Sequence, residues 1–165
     1  MNDFLQDKRF DFVAERDKQF IRAFDAEMVK LGYSFGDTIG SGYCWEKYML
    51  IYRKIGGKSE KVYARMYIRE KDVVLRFFLS GIDSHRKYIE SSSSHIKEVF
   101  VGEYANCKHC HNEKYGDCRF RKAYTIDERL IEKCSGNTFE FYDPCLQRMG
   151  DYISLFTEFY PARKR

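Results

Sequence analysis

At 165 residues and 19.7 kDa the chain is the size of one domain, long enough to bury a real core. Hydrophobic residues make up 44% and charged residues 33%, with two prolines, which excludes a disordered or collagen-like chain. Lys and Arg total 29 against 25 acidic residues, and this net +4 falls short of the clustered excess of a dedicated DNA-binding domain.

Val13, Phe20, Ile21, Phe24, Met28 and Leu31 recur at helical spacing, with Glu15, Arg16, Lys18, Arg22 and Glu27 on other faces. That pattern predicts a long amphipathic helix, and Gly32 directly after it suits a left-handed C-terminal cap. The Gly-rich stretch Gly36 to Gly42 lacks the Lys-Ser/Thr ending of a phosphate-binding loop and reads as a turn into a strand. Three strands follow, Tyr43 to Lys54, Lys61 to Arg69 and Val73 to Leu79, separated by Gly56-Gly57-Lys58 and Glu70-Lys71-Asp72. In the second, Val62, Ala64, Met66 and Ile68 alternate with Tyr63, Arg65, Tyr67 and Arg69. Such period-two alternation implies an antiparallel meander with one face on the core, and the N-terminal helix is its expected partner.

Ile82 to Glu90 reads as a short helix capped by Asp83 or Ser84, and His95 to Phe100 as another turn or two after the serine run 91–94. Brief strands are expected near Ala123 to Asp127, Leu130 to Lys133 and Thr138 to Tyr142. Asp143-Pro144 has the form of a helix start, a capping carboxylate with proline at the first helical position. Leu146, Met149, Ile153, Phe156 and Tyr160 give the apolar stripe of that last helix.

The N-terminus, Met1 to Lys8, lacks a basic stretch leading into an apolar one, so a secretory signal is not expected. No apolar run approaches the ~20 residues of a membrane span. A cytoplasmic protein is therefore expected, with its cysteines as reduced thiols. Four of the six fall in one tract, Cys107-x2-Cys110-x7-Cys118-x15-Cys134. A Cys-x2-Cys turn aims two sulfurs at one ion, and zinc prefers four such ligands in a tetrahedron. The tract is polar and has too few apolar residues to fold alone. A bound ion supplies what burial does not, with an apparent binding energy of about 10–16 kcal/mol in structural zinc peptides. Four thiolates leave no position for water, which makes the expected zinc structural. His109 and His111 are the alternative ligands: either in place of a cysteine would open the site to catalysis.

The segment Cys118 to Pro161 carries Tyr124-Thr125-Ile126, Glu132-Lys133-Cys134, Phe139-Glu140-Phe141 and a last helix ending Phe159-Tyr160. In these features it resembles a group of small uncharacterised Firmicutes proteins that place a helix and meander ahead of a cysteine cluster. The resemblance implies zinc binding and a bacterial cytoplasmic origin, and it implies no activity. Relatives in that group often carry a further cysteine where this chain has Thr138, which leaves Cys134 harder to replace.

Tyr63, Arg65, Tyr67, Arg69 and Arg76 are expected on one face of the meander, with Trp45 on the neighbouring strand. Rings alternating with guanidinium groups can stack flat groups and neutralise phosphate or carboxylate, although no RNP signature is present. The same alternation also suits a wet strand face with no ligand, where Arg stems cover rings. Cys145, expected in the first turn of the last helix, is the alternative as a nucleophile.

The sequence thus predicts one α+β domain: an N-terminal helix on an antiparallel meander (1–100), then a zinc-stapled hairpin and helix module (101–165). The expected function is non-enzymatic binding of a small ligand, peptide or nucleic acid at that sheet face, with no catalytic residue assigned. An enzyme and a protein–protein interaction module are the alternatives.

Overall fold

The computed structural model describes residues 3–42, 47–102, 121–133 and 137–162. It is an α+β fold with an N-terminal helix and antiparallel sheets. By internal packing the chain divides into two compact units, Met1–Arg76 with Glu140–Ile153 and Phe77–Phe139 with Ser154–Arg165. Among the described residues no helix is long and apolar enough to cross a membrane.

In the first unit, α1 (Glu15–Lys30) follows two short 3-10 turns that seat Leu5 and Phe10 in the core. Its N-cap, Ala14, has no side chain to offer, and Glu15 and Asp17 in the first turn complement the helix dipole instead. The expected stripe is the buried face: Phe20, Ile21, Phe24 and Met28 are all 1% exposed or less. Gly32 ends the helix at φ +87°, a left-handed cap as the sequence predicts, with its N–H on the Val29 carbonyl.

The sheet contains β1 (Tyr33–Ser34), β2 (Ile39–Ser41), β3 (Tyr48–Lys54), β4 (Ala64–Ile68), β5 (Val73–Phe78) and β8 (Thr138–Tyr142). Strand order is β1-β3-β4-β5-β8, with β2 also pairing β3. The register sets Leu50 opposite Met66 and Tyr52 opposite Ala64, and these four residues are fully buried. Phe24 of α1 meets the Tyr52 ring edge-on at 5.4 Å, so the helix covers the face that the alternation marks as apolar.

The other face departs from expectation. Met49, Tyr67 and Val74 form a second buried cluster there, with Ile51 packed against it. Alternation of Tyr with Arg reads as a wet face, yet a tyrosine ring is mostly apolar and is buried readily when its hydroxyl has partners.

The second unit holds a 3-10 turn (Ile82–His85), α2 (Arg86–Ser91), α3 (Ser94–Val101) and the hairpin of β6 (Lys122–Ile126) and β7 (Arg129–Lys133). The expected cap at Asp83 is not formed. Gly81, at φ +69°, leads into the turn, and Asp83 accepts the backbone N–H of Thr125 at 2.9 Å instead. Asp127 and Glu128 both take left-handed φ, +46° and +60°, which closes the hairpin in two residues. Phe100 against Phe139 at 4.5 Å and Phe77 against Phe156 at 5.5 Å give this unit its own core.

The final helix, α4 (Met149–Phe159), also starts later than Asp143-Pro144 suggests. Asp143 is left-handed at φ +49°, its N–H donates to the Val73 carbonyl, and its carboxylate pairs with Arg16. An N-cap residue takes extended backbone, which the left-handed Asp143 does not have. A 3-10 turn, Leu146–Arg148, intervenes. The buried face is Tyr152, Leu155 and Phe156, while Leu146 is 40% exposed.

Candidate functional site

Cys107, Cys110, Cys118 and Cys134, the alternative ligands His109 and His111, and Trp45 lie outside the described residues. The described chain beside the cysteine tract is well ordered by contacts. β6 and β7 pair antiparallel, and their outermost partners are Lys122 and Lys133. The chain therefore enters this hairpin and leaves it at the same end. Arg121 pairs with Glu132 at 3.1 Å beside that end. Lys133 is only 4% exposed, its ammonium 4.9 Å from the centre of the Phe139 ring. Among the described residues no group of three or more His, Cys, Asp or Glu side chains is arranged to hold a metal ion.

On the sheet, the register places Met49 opposite Tyr67 and Ile51 opposite Arg65. Tyr67 is 2% exposed, so its ring is a packed element of this face. Its hydroxyl accepts from Arg76 Nη1 at 3.0 Å and, with a longer contact, from Arg65 Nη1 at 3.5 Å. The Arg76 guanidinium also lies 5.0 Å from the Tyr67 ring centre. Glu140 on β8 completes the group, with Oε1 at 2.9 Å from Arg76 Nε. Sequence reading does not find Glu140, although its place between Phe139 and Phe141 on an alternating strand puts it on the face opposite theirs.

The remaining members separate from this group. Arg69 is held by both oxygens of Asp72 across the β4–β5 turn. Those two hydrogen bonds push the Arg69 guanidinium still further from deprotonation. Its guanidinium lies 6.0 Å from the ring of Tyr142. Tyr63 packs its ring on Tyr33 at 4.9 Å with the Lys61 ammonium over it at 4.8 Å. Two guanidinium groups therefore converge on one phenol, while the other aromatic and cationic residues make local pairs.

Cys145 is half-buried in extended backbone ahead of the 3-10 turn, so it does not occupy the first turn of α4. His85, which has no acidic partner at a telling spacing in the sequence, lies beside one far along the chain. Its Nδ1 lies 2.8 Å from Glu158 Oε1, and its ring packs on Phe159 at 4.0 Å. No local spacing signals that pair. No family model, no curated protein and no solved structure matches the chain.

Proposed function

We propose that this chain is a non-enzymatic binding protein whose Cys107, Cys110, Cys118 and Cys134 hold a structural zinc ion. The observation that carries the reading is the pairing of Lys122 with Lys133 at the open end of the hairpin. Cys118 stands four residues before Lys122 and Cys134 directly after Lys133. Paired residues lie about 5 Å apart and each further residue spans about 3.5 Å, so sulfurs on these two cysteines are within reach of one ion. The Cys107-x2-Cys110 turn supplies the other two ligands. The hairpin thus acts as a frame, and the ion joins to it a polar tract that has little to bury.

The ligand surface in this reading is the Arg65, Tyr67 and Arg76 face, with Tyr63, Arg69 and Trp45 added from the sequence pattern alone. Tyr67 orients two guanidinium groups, and Glu140 offsets one of them, which leaves one positive charge among these four residues. Such a face suits an anionic or flat group on a small ligand, a peptide or a nucleic acid. The resemblance to small Firmicutes proteins agrees with the metal and is silent on the ligand.

Metal analysis of the purified protein, with X-ray absorption at the zinc edge, tests the first part. One zinc per chain in an all-sulfur shell is expected; a metal-free folded protein, or a shell with nitrogen or water, overturns it. Fluorescein-labelled oligouridylate and sodium pyrophosphate are the probes for the second part. Arg65→Ala should weaken whichever of them binds, and unchanged binding removes this face.

A further inference from the structure

Across the second face of the sheet, Ile51, Arg65, Arg76 and Glu140 stand on successive strands, β3, β4, β5 and β8. Ile51 is the cross-strand partner of Arg65, and Glu140 Oε1 lies 2.9 Å from Arg76 Nε. The two guanidinium groups meet at the Tyr67 hydroxyl, with Arg76 Nη1 at 3.0 Å and Arg65 Nη1 at 3.5 Å. Two N–H groups that reach one oxygen also lie close enough for the two oxygens of a single carboxylate to accept a hydrogen bond from each. Like charges held this close on neighbouring strands repel, and an anion lying over both offsets that repulsion. Arg65 and Ile51 are half-buried and the Arg76 side chain is 16% exposed, so each keeps an edge in solvent. Ile51 packs on the buried cluster of Met49, Tyr67 and Val74, and it carries apolar surface directly beside Arg65.

We propose that this face binds a small monocarboxylic acid with an apolar body, its carboxylate bridging Arg65 and Arg76 and its chain lying along Ile51. The inference rests on the proposed sheet-face reading and names the ligand class of that face. Arg76 already takes one carboxylate, from Glu140, at its Nε edge, and the bound acid would meet it at the Nη1 end. Glu140 stands on the far side of Arg76 from Arg65, so an anion with several charges is repelled there more than one with a single charge. Hydrocarbon laid on Ile51 leaves water, a gain that acetate or pyrophosphate does not make. Both features select a single charge on an apolar chain.

Calorimetry on the full chain compares sodium hexanoate, sodium acetate, hexan-1-ol and sodium pyrophosphate. Hexanoate should bind at least about tenfold tighter than acetate or hexanol, because it alone joins one charge to an apolar chain. Arg65→Gln should weaken hexanoate at least about fivefold and leave hexanol unchanged. Ile51→Ser should bring hexanoate to within about threefold of acetate while acetate binds as before. Equal binding of hexanoate and acetate, equal binding of hexanoate and hexanol, or hexanoate binding that survives Arg65→Gln overturns the proposal. Pyrophosphate binding that depends on Arg65, with no hexanoate binding at millimolar concentration, overturns the ligand class and leaves the sheet-face reading standing. Loss of Arg65 dependence for every anion removes both. If a variant fails to fold, the Ile51 δ1 methyl resonance of the unmodified protein decides. It moves and saturates on titration with hexanoate if the two are in contact, and stays fixed if the proposal is wrong.

Discussion

The hydroxyl of Tyr124 donates to the backbone carbonyl of Phe100 at 2.7 Å, and the bond is buried. Phe100 lies in the last turn of α3, where four carbonyls have no partner within the helix. One side chain from the first strand of the hairpin therefore satisfies the end of the helix that precedes the cysteine tract. Burial pushes the phenol well above its usual range, which favours the protonated, donating form.

Tyr124→Phe should consequently cost about 1–3 kcal/mol, because the Phe100 carbonyl is left buried without a donor while the ring still fills its space. Urea unfolding with an unchanged denaturant dependence measures it. A variant as stable as the parent would mean that water replaces the hydroxyl and that the bond does not tie α3 to the hairpin.

Cys110→Ser tests the metal. If a zinc ion organises the tract, losing one thiolate should lower metal content and melting temperature together, and a chelator added to the parent should reproduce both effects. A variant that melts like the parent would refute the staple, because removing a ligand cannot be neutral when the ion supplies the folding energy.

The acid-range behaviour of Asp25 has a definite sign. Burial raises its carboxyl first, Asp37 adds to the shift, and the Tyr52 hydroxyl opposes it. The folded state thus prefers the protonated form. That preference contributes fully below the unfolded value, about 3.9, and is lost as pH rises through the higher folded value. Asp25→Asn removes the titration. The melting temperature of the variant minus that of the parent should therefore increase from about pH 4 to pH 7. A constant difference would show that Asp25 titrates alike in both states.

What the sequence makes legible is local. The stripe Phe20, Ile21, Phe24 and Met28 and the alternation Ala64, Met66 and Ile68 depend on helix and strand periods alone, and both faces are buried as expected. Gly32 is readable for the same reason. Asp143 is misread because its short-range signature, a carboxylate before proline, competes with a partner 127 residues away, Arg16. His85 and Glu158 are 73 residues apart, and Arg76 meets Glu140 on a strand that joins the sheet from beyond the cysteine tract. Side-chain pairs of this kind leave no periodic trace. The cysteine spacing is legible as chemistry, since ligand type and distance along the chain are themselves the signal, and it lies outside the described residues.

The pair of Arg76 and Glu140 provides the sharpest test of the sheet face. Both side chains are about 15% exposed, at 16% and 15%, and their charges meet at 2.9 Å beside the Tyr67 ring. Desolvating two charges is costly, so the pair as a whole adds little net stability, whereas removing one member strands the other. Glu140→Ala should cost about 3 kcal/mol, since Arg76 keeps the Tyr67 hydroxyl but loses its counter-charge. Arg76→Met with Glu140→Leu should recover most of that loss by joining the apolar cluster of Met49, Tyr67 and Val74. Chemical denaturation of the three proteins reads both effects. If the double variant is no more stable than Glu140→Ala, the two charges are not coupled, and Tyr67 rather than the ion pair holds Arg76 in place.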